Sequence, residues 1–436
     1  MSKQLLIGAA EVLITPPLGI SMAGYYEDRK ASDVHDDLFA HALVFDSEGQ
    51  SAAVVVCDLI GLNPEVTSPA RDMIQARTGI PRDRAIICCT HTHTGPVVAI
   101  EETFFGKPDP AYVDVLTRKI ADATQLAWQR RQPATLRAGK GRAEGIAFNR
   151  RYWMKDGRLR TNPPFQSPDI VRPAGPVDPE VGVLLASDAS GKPIALLSNF
   201  ALHPDQVGGT AIGADHEGVE RDLLQRVLGE NVPILCPNGC CGDINHFDMS
   251  KSGPQHGHEC AERSGSVLAG SVLQALPDLV NVEKVTLAGG SRAVQAAFRL
   301  PTAEEVKWAE DLVNRPLHGF DDTGIDIVKA HRIQWLARSG ETSLRADVTV
   351  ITVGEVAMVG LPGECFVELG LDIKRRSPFP YTFVFELSNA SIGYVPTRKA
   401  YDEGGYEATS TRLQPGTGES LVEAALGLLE RAKECG

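Results

Sequence analysis

The sequence predicts a layered α/β fold, a mixed β-sheet core flanked by helices, with residues 1–436 forming one domain. Three observations predict it. Strand-like apolar runs and helical patterns interleave along the whole chain. Some neighbouring strands are joined by short turns, Ser47-Glu48-Gly49 among them, so antiparallel and parallel pairs must mix. The composition, 43% hydrophobic and 23% charged with 42 Gly and 28 Pro spread along the chain, is that of a loop-rich globular protein.

The elements follow in order. Met1 to Leu18 carries an apolar run that Glu11 interrupts, with no small-residue cleavage site after it, and reads as a strand entering the fold. Leu38–Phe45 and Ala52–Ile60 flank the Ser47 turn as two strands, and Ala85–Cys89 is a short apolar third. Ala111–Gln129 has helical spacing. Arg150–Pro176 is rich in Arg, Asn and Pro and weakly periodic, which predicts a long surface loop of the kind that carries function. Val181–Ala186 and Pro193–Ala201 read as strands, and Glu217–Leu228 and Cys260–Ala275 as helices. Val285–Ala297 is a strand, Ala303–Val313 and Ile325–Ala337 are helices, and Ala346–Val359 and Tyr381–Leu387 are strands before the closing helix Glu419–Ala432. There is no internal repeat and no long linker.

A formal net charge of −13 argues against nucleic acid as a main partner, because phosphate contacts need clustered Lys and Arg. No run approaches the roughly 18 apolar residues of a transmembrane segment. Of nine cysteines, Cys57, Cys88, Cys89 and Cys236 lie in or beside apolar runs as core thiols. The adjacent pairs Cys88-Cys89 and Cys240-Cys241 lack the two-residue gap that suits tetrahedral zinc. A reduced, cytoplasmic protein is the simplest account, and nothing in the sequence excludes a homo-oligomer.

The chemistry gathers in Thr90-His91-Thr92-His93-Thr94-Gly95-Pro96, directly after the strand Ala85–Cys89. If the extended conformation continues, His91 and His93 point to one face, and neutral imidazole is a good zinc ligand; the plainer reading is two polar histidines in a loop. His203 closes an apolar strand before Pro204, where a satisfied strand-end histidine is the alternative. Glu364, in Leu361-Pro362-Gly363-Glu364, stands where a strand ends and a helix begins, and could simply complement the helix dipole. Together His91, His203 and Glu364, with His93 beside them, make a zinc site with a position left open for water.

At these residues the sequence resembles the neutral/alkaline non-lysosomal ceramidase family. The resemblance runs in order through Ile7-Gly8-Ala9-Ala10-Glu11-Val12, Met22-Ala23-Gly24-Tyr25, Thr90–Pro96, Asn149-Arg150, His203-Pro204, Gly242-Asp243, Pro362-Gly363-Glu364 and the block Ser388–Thr411. It implies a ceramidase-like catalytic fold with zinc as cofactor, bound by His91, His203, Glu364 and Tyr394. It also implies His93, Arg150 and Tyr406 as catalytic groups at the substrate's polar head. His35, Asp243 and Asn245 are expected to face the substrate, with Asp205 and Asp215 adding polar groups.

Asn245 stands where the family has serine, which removes a serine nucleophile and leaves metal-activated water. The family's C-terminal immunoglobulin-like domain has no counterpart here, and no export signal is seen. These departures and the acidic charge shift the expected substrate from long-chain ceramide toward a smaller polar N-acyl amide, within a range of small-molecule or lipid-like substrates. The alternatives are a metal-dependent ester or sugar-derivative hydrolase on the same site, and a non-enzymatic, metal-stabilised binding protein.

Overall fold

The computed structural model describes residues 4–98, 106–283, 285–315 and 322–435; Met1 to Lys3, where the first expected strand was placed to begin, lie outside them. Two sheets stack face to face between helices, giving four layers. The larger sheet runs in the order Ile234–Leu235, Pro193–Asn199, Glu180–Asp188, Gln132–Arg142, Leu6–Leu13, Phe39–Ser47, Gln50–Cys57, Ala85–Cys89, with Val280–Asn281 added beside Gln132–Arg142. The smaller has four strands, Leu287–Ala297, Ser343–Val353, Val356–Gly360 and Tyr381–Phe385. Both mix antiparallel and parallel pairs: Gln50–Cys57 is parallel to Ala85–Cys89, and Val356–Gly360 to Tyr381–Phe385.

The period-2 alternation of strands explains the layering. Leu43, Phe45, Val54, Val56, Ile86 and Cys88 point to one face and meet Ile351, Val353, Met358, Phe383 and Phe385 of the second sheet. Ala42, Val44, Val55, Cys57, Ile87 and Cys89 point the other way, against the helices Pro64–Thr78 and Pro110–Gln129. Asp215–Leu228 and His258–Ala275 cover the other half of that face. Thr417–Cys435 and Val367–Arg376 cover the outside of the smaller sheet.

Three expectations change. Ala346–Val359 is a hairpin, in which Ser343–Val353 turns through Gly354-Glu355 into Val356–Gly360. The strands on either side of the turn are mostly apolar because both are buried, so alternation marks no break. Arg150–Pro176 contains a small three-stranded sheet, Leu159–Thr161, Arg151–Met154 and Ile170–Pro173. Gln132–Arg142, polar and carrying Pro133, Gly139 and Gly141, joins the two halves of the large sheet, pairing with Glu180–Asp188 along its length and with Leu6–Ile7 at its start. No helix among the described residues is long and apolar enough to cross a membrane.

Candidate metal centre

The large sheet ends its strand Ala85–Cys89 at the segment Thr90–Pro96, and His91 there does not continue the strand: its φ is 81, the left-handed region that non-glycine residues rarely enter. The turn is held by the His91 N–H on Leu59 O at 2.9 Å and by Thr92 and Thr94, whose hydroxyls both donate to Gly213 O. With the threonines anchored to one side, His91 and His93 face the other. Asn238 braces this segment to the next one, donating to Thr90 O (3.1 Å) and Leu202 O (3.0 Å), the carbonyls just before His91 and His203.

Glu364 and Tyr394 are brought together by backbone pairing. Glu364–Cys365 runs parallel to Tyr394–Val395 with Glu364 opposite Tyr394. Gly363 makes this approach feasible: its φ is +78, and a Cβ there would lie 2.6 Å from Gly393 O. The loop that carries Tyr394 is docked in turn by Asn389, whose side chain accepts the Ile87 N–H at 3.0 Å.

Three imidazoles converge. Ring centroids are 4.5 Å apart for His91 and His203, 4.9 Å for His93 and His203, and 5.1 Å for His91 and His93. His93 Nε2 is 3.0 Å from His203 Nε2, and His91 Nε2 is 3.4 Å from Glu364 Oε2. Ligands about 2.1 Å from a tetrahedral ion stand roughly 3.4 Å from each other, so these separations suit one centre. His91 Nε2 and Glu364 Oε2 are buried without a hydrogen-bond partner, an arrangement costly unless something else binds them. The residues therefore fit a metal ion.

Burial and the neighbouring His91 push His93 down to about 3, and burial, His91 and Arg150 hold His203 well below its usual value, so both are neutral imidazoles, whereas at His91 burial is outweighed by the carboxylates of Glu364 and Glu386, which raise it. Burial opposes charge on Glu364, but His91, Arg150 and Tyr394 outweigh it and keep the carboxyl below its ordinary range. Behind His203, its Nδ1 lies 3.6 Å from Cys241 Sγ, which Glu386 holds in turn.

An open cleft of ≈1930 Å³ leads to this centre. Arg150 lines it, with Nε on Glu407 at 2.7 Å and a second nitrogen on Gly242 O at 2.9 Å. Tyr406 lines it too, its hydroxyl 2.5 Å from that of Tyr26. So do Tyr25, Asp205 and Asn162, together with the apolar Ile60, Val97, Val98 and Trp335.

Four expected substrate contacts lie elsewhere. Asp243 is fully engaged behind the cleft, accepting the Val367 N–H at 2.8 Å and the Asn149 amide at 2.8 Å. Asn245 bonds Asn162 at 2.8 Å and reaches the cleft only through it. His35 sits on an exposed loop, paired with Asp36 and stacked on His258 at 3.9 Å. Asp215 turns from the cleft to accept the Gln206 and Val207 N–H groups. Tyr26, Asn238, Glu386 and Glu407 were not singled out from the sequence. Only Glu386 left a trace there, as a lone carboxylate inside the apolar run Tyr381–Leu387.

No family model matches the chain. Neutral ceramidase from Pseudomonas aeruginosa is 26% identical over 487 residues, covering 94% of this chain and 70% of that protein. Neutral ceramidases A and B from Dictyostelium discoideum are 26% and 24% identical over about half of this chain, and those matches span only 30% and 33% of the relatives' own length. The crystal structure of the Pseudomonas neutral ceramidase superposes with a TM-score of 0.75 at 19% identity, over 99% of this chain and 75% of that one. A ceramidase complexed with C2 gives 0.77, also at 19% identity, over 99% of this chain and 76% of that one. Over nearly its whole length in sequence, and in fold, the chain is similar to the neutral ceramidases.

Proposed function

We propose that this protein is a zinc-dependent hydrolase that uses water to cleave the amide bond of an amphiphilic N-acyl substrate. The observation that carries it is the convergence of His91, His203 and Glu364 on the cleft, where the buried His91 Nε2 and Glu364 Oε2 face each other with no hydrogen-bond partner. His91, His203, Glu364 and Tyr394 would hold the ion. Bound zinc supplies a Lewis-acidic centre and makes water nucleophilic near neutral pH.

The remaining roles fall to side chains. Arg150, locked by Glu407, presents a fixed positive charge to the carbonyl oxygen that becomes negative in the transition state. Tyr406, steadied by Tyr26, offers a hydroxyl to the same polar head. His93 stands beside the centre to hold or move a proton.

A cleft of ≈1930 Å³ exceeds the roughly 300–1,000 Å³ of ordinary small-molecule pockets, and its Ile60, Val97, Val98 and Trp335 suit an acyl chain. This supports a lipid-like substrate over the small polar one expected from net charge. The nine unpaired cysteines support a reducing, cytoplasmic setting. Measuring kcat/KM for N-acyl amides of increasing chain length at constant detergent tests the substrate. A rise with acyl length is expected, and fastest turnover of the shortest acyl groups would contradict it.

A further inference from the structure

We propose that Asp205, held by Tyr25, is a positioning residue that fixes His93 with its proton on Nδ1 and a bare Nε2 turned toward the metal centre. The inference deepens the hydrolase reading and rests on it.

His93 presents its two nitrogens to different surroundings. Nε2 faces His203 at 3.0 Å. Nδ1 is buried and makes no hydrogen bond, and the group facing it is Asp205, with Oδ1 3.5 Å away. That same oxygen accepts the Tyr25 hydroxyl at 2.5 Å. The Tyr25 ring stands edge-on to His93, with centroids 5.7 Å apart. Arg29 closes the group by lying 4.2 Å over the Tyr25 ring and donating to His93 O at 2.8 Å. Gly24 lets the chain come this close, since its φ is +109 and a Cβ there would stand 2.7 Å from His93 Cβ.

Asp205 Oδ1 is already an acceptor, taking the Tyr25 hydroxyl, so the imidazole nitrogen facing it carries the proton and the other is bare. His93 Nε2 is therefore an acceptor at the start of turnover. It takes a proton from the attacking water as the carbon–oxygen bond forms. It then returns that proton to the amide nitrogen as the carbon–nitrogen bond breaks, so one water is consumed and a carboxylic acid and an amine are released. The Nδ1 proton stays on His93, facing Asp205 Oδ1, throughout.

The test uses the full chain loaded with zinc, as wild type, Asp205→Ala and Tyr25→Phe. Nitrogen-15 histidine spectra of the wild type should show His93 protonated at Nδ1 and bare at Nε2. Asp205→Ala should mix the two tautomers and lower kcat about 10–100-fold with KM nearly unchanged and zinc retained. Tyr25→Phe should move both readouts the same way by less. A wild-type ring protonated at Nε2 would overturn the proposal, as would an Asp205→Ala protein with unchanged spectrum and kcat, or one that loses only KM because Asp205 contacts substrate. If Asp205→Ala does not fold, the wild-type tautomer and Tyr25→Phe decide. A wild type that neither holds zinc nor releases amine would defeat the hydrolase reading, and the tautomer would still judge Asp205.

Discussion

Asp243 shows how a residue can matter to this site without touching substrate. Its two oxygens tie Val367, at the start of a helix, to Asn149, the neighbour of Arg150, so it sets where the guanidinium stands. Burial pushes its carboxyl up to about 6, against the Val367 and Asn149 hydrogen bonds. In the unfolded chain the value is about 3.9, so the folded chain binds the extra proton between the two values. The sign follows: this stability is complete below about pH 4 and is lost as pH rises through about 6. Urea midpoints should fall across that window, and Asp243→Asn should flatten that part of the profile; an identical slope in the variant would assign the effect to another group. The sequence reading placed Asp243 on the substrate because it follows a glycine in a family-like motif, and motif spacing cannot tell an exposed carboxylate from one consumed by backbone N–H groups. His91 and His93 were legible because paired imidazoles at a strand end suit a metal and sit in a family-like motif. Glu407 was not: its value lies in a buried pairing with Arg150 across 257 residues of chain.

At the scale of elements, the centre depends on loops pinned to strand ends. Glu364 meets Tyr394 only because two short segments pair in parallel, and Gly363 is the point where their backbones nearly touch. Gly363→Ala places a Cβ in a left-handed conformation and against Gly393 O, so a loss of about 1–3 kcal/mol is expected. Zinc content should fall with it, because Glu364 and Tyr394 would separate. Full zinc retention together with unchanged denaturation would show that this pairing does not build the site. Most of the long apolar strands and amphipathic helices were readable from periodicity, but the helix Pro64–Thr78 was not. The strand Gln132–Arg142 was not, since its glycines and charges hide alternation while register with Glu180–Asp188 holds it in place. The hairpin Ser343–Gly360 escaped for the opposite reason, being buried on both faces from Val348 onward.

At the scale of the molecule, two stacked sheets deliver ligands from distant parts of the chain to one place. His91 comes from the end of the large sheet, His203 from beyond its strand Pro193–Asn199, and Glu364 from the smaller sheet's margin. The sequence could group these residues into one site but not say what holds their segments together, because Asn238 and Asn389, which brace them, carry no role that residue type alone reveals. The account's central claim is that this meeting point is a zinc centre that hydrolyses amides. The most direct measurement follows amine release from an N-acyl amide by wild type, by wild type stripped with chelator and given back zinc, and by His91→Ala with His203→Ala treated alike. The account predicts about one zinc per chain in the wild type, loss of turnover on stripping, recovery with about one equivalent of zinc, and neither zinc nor recovery in the double variant. Undiminished amine release by the stripped protein, or full zinc retention by the double variant, would contradict it.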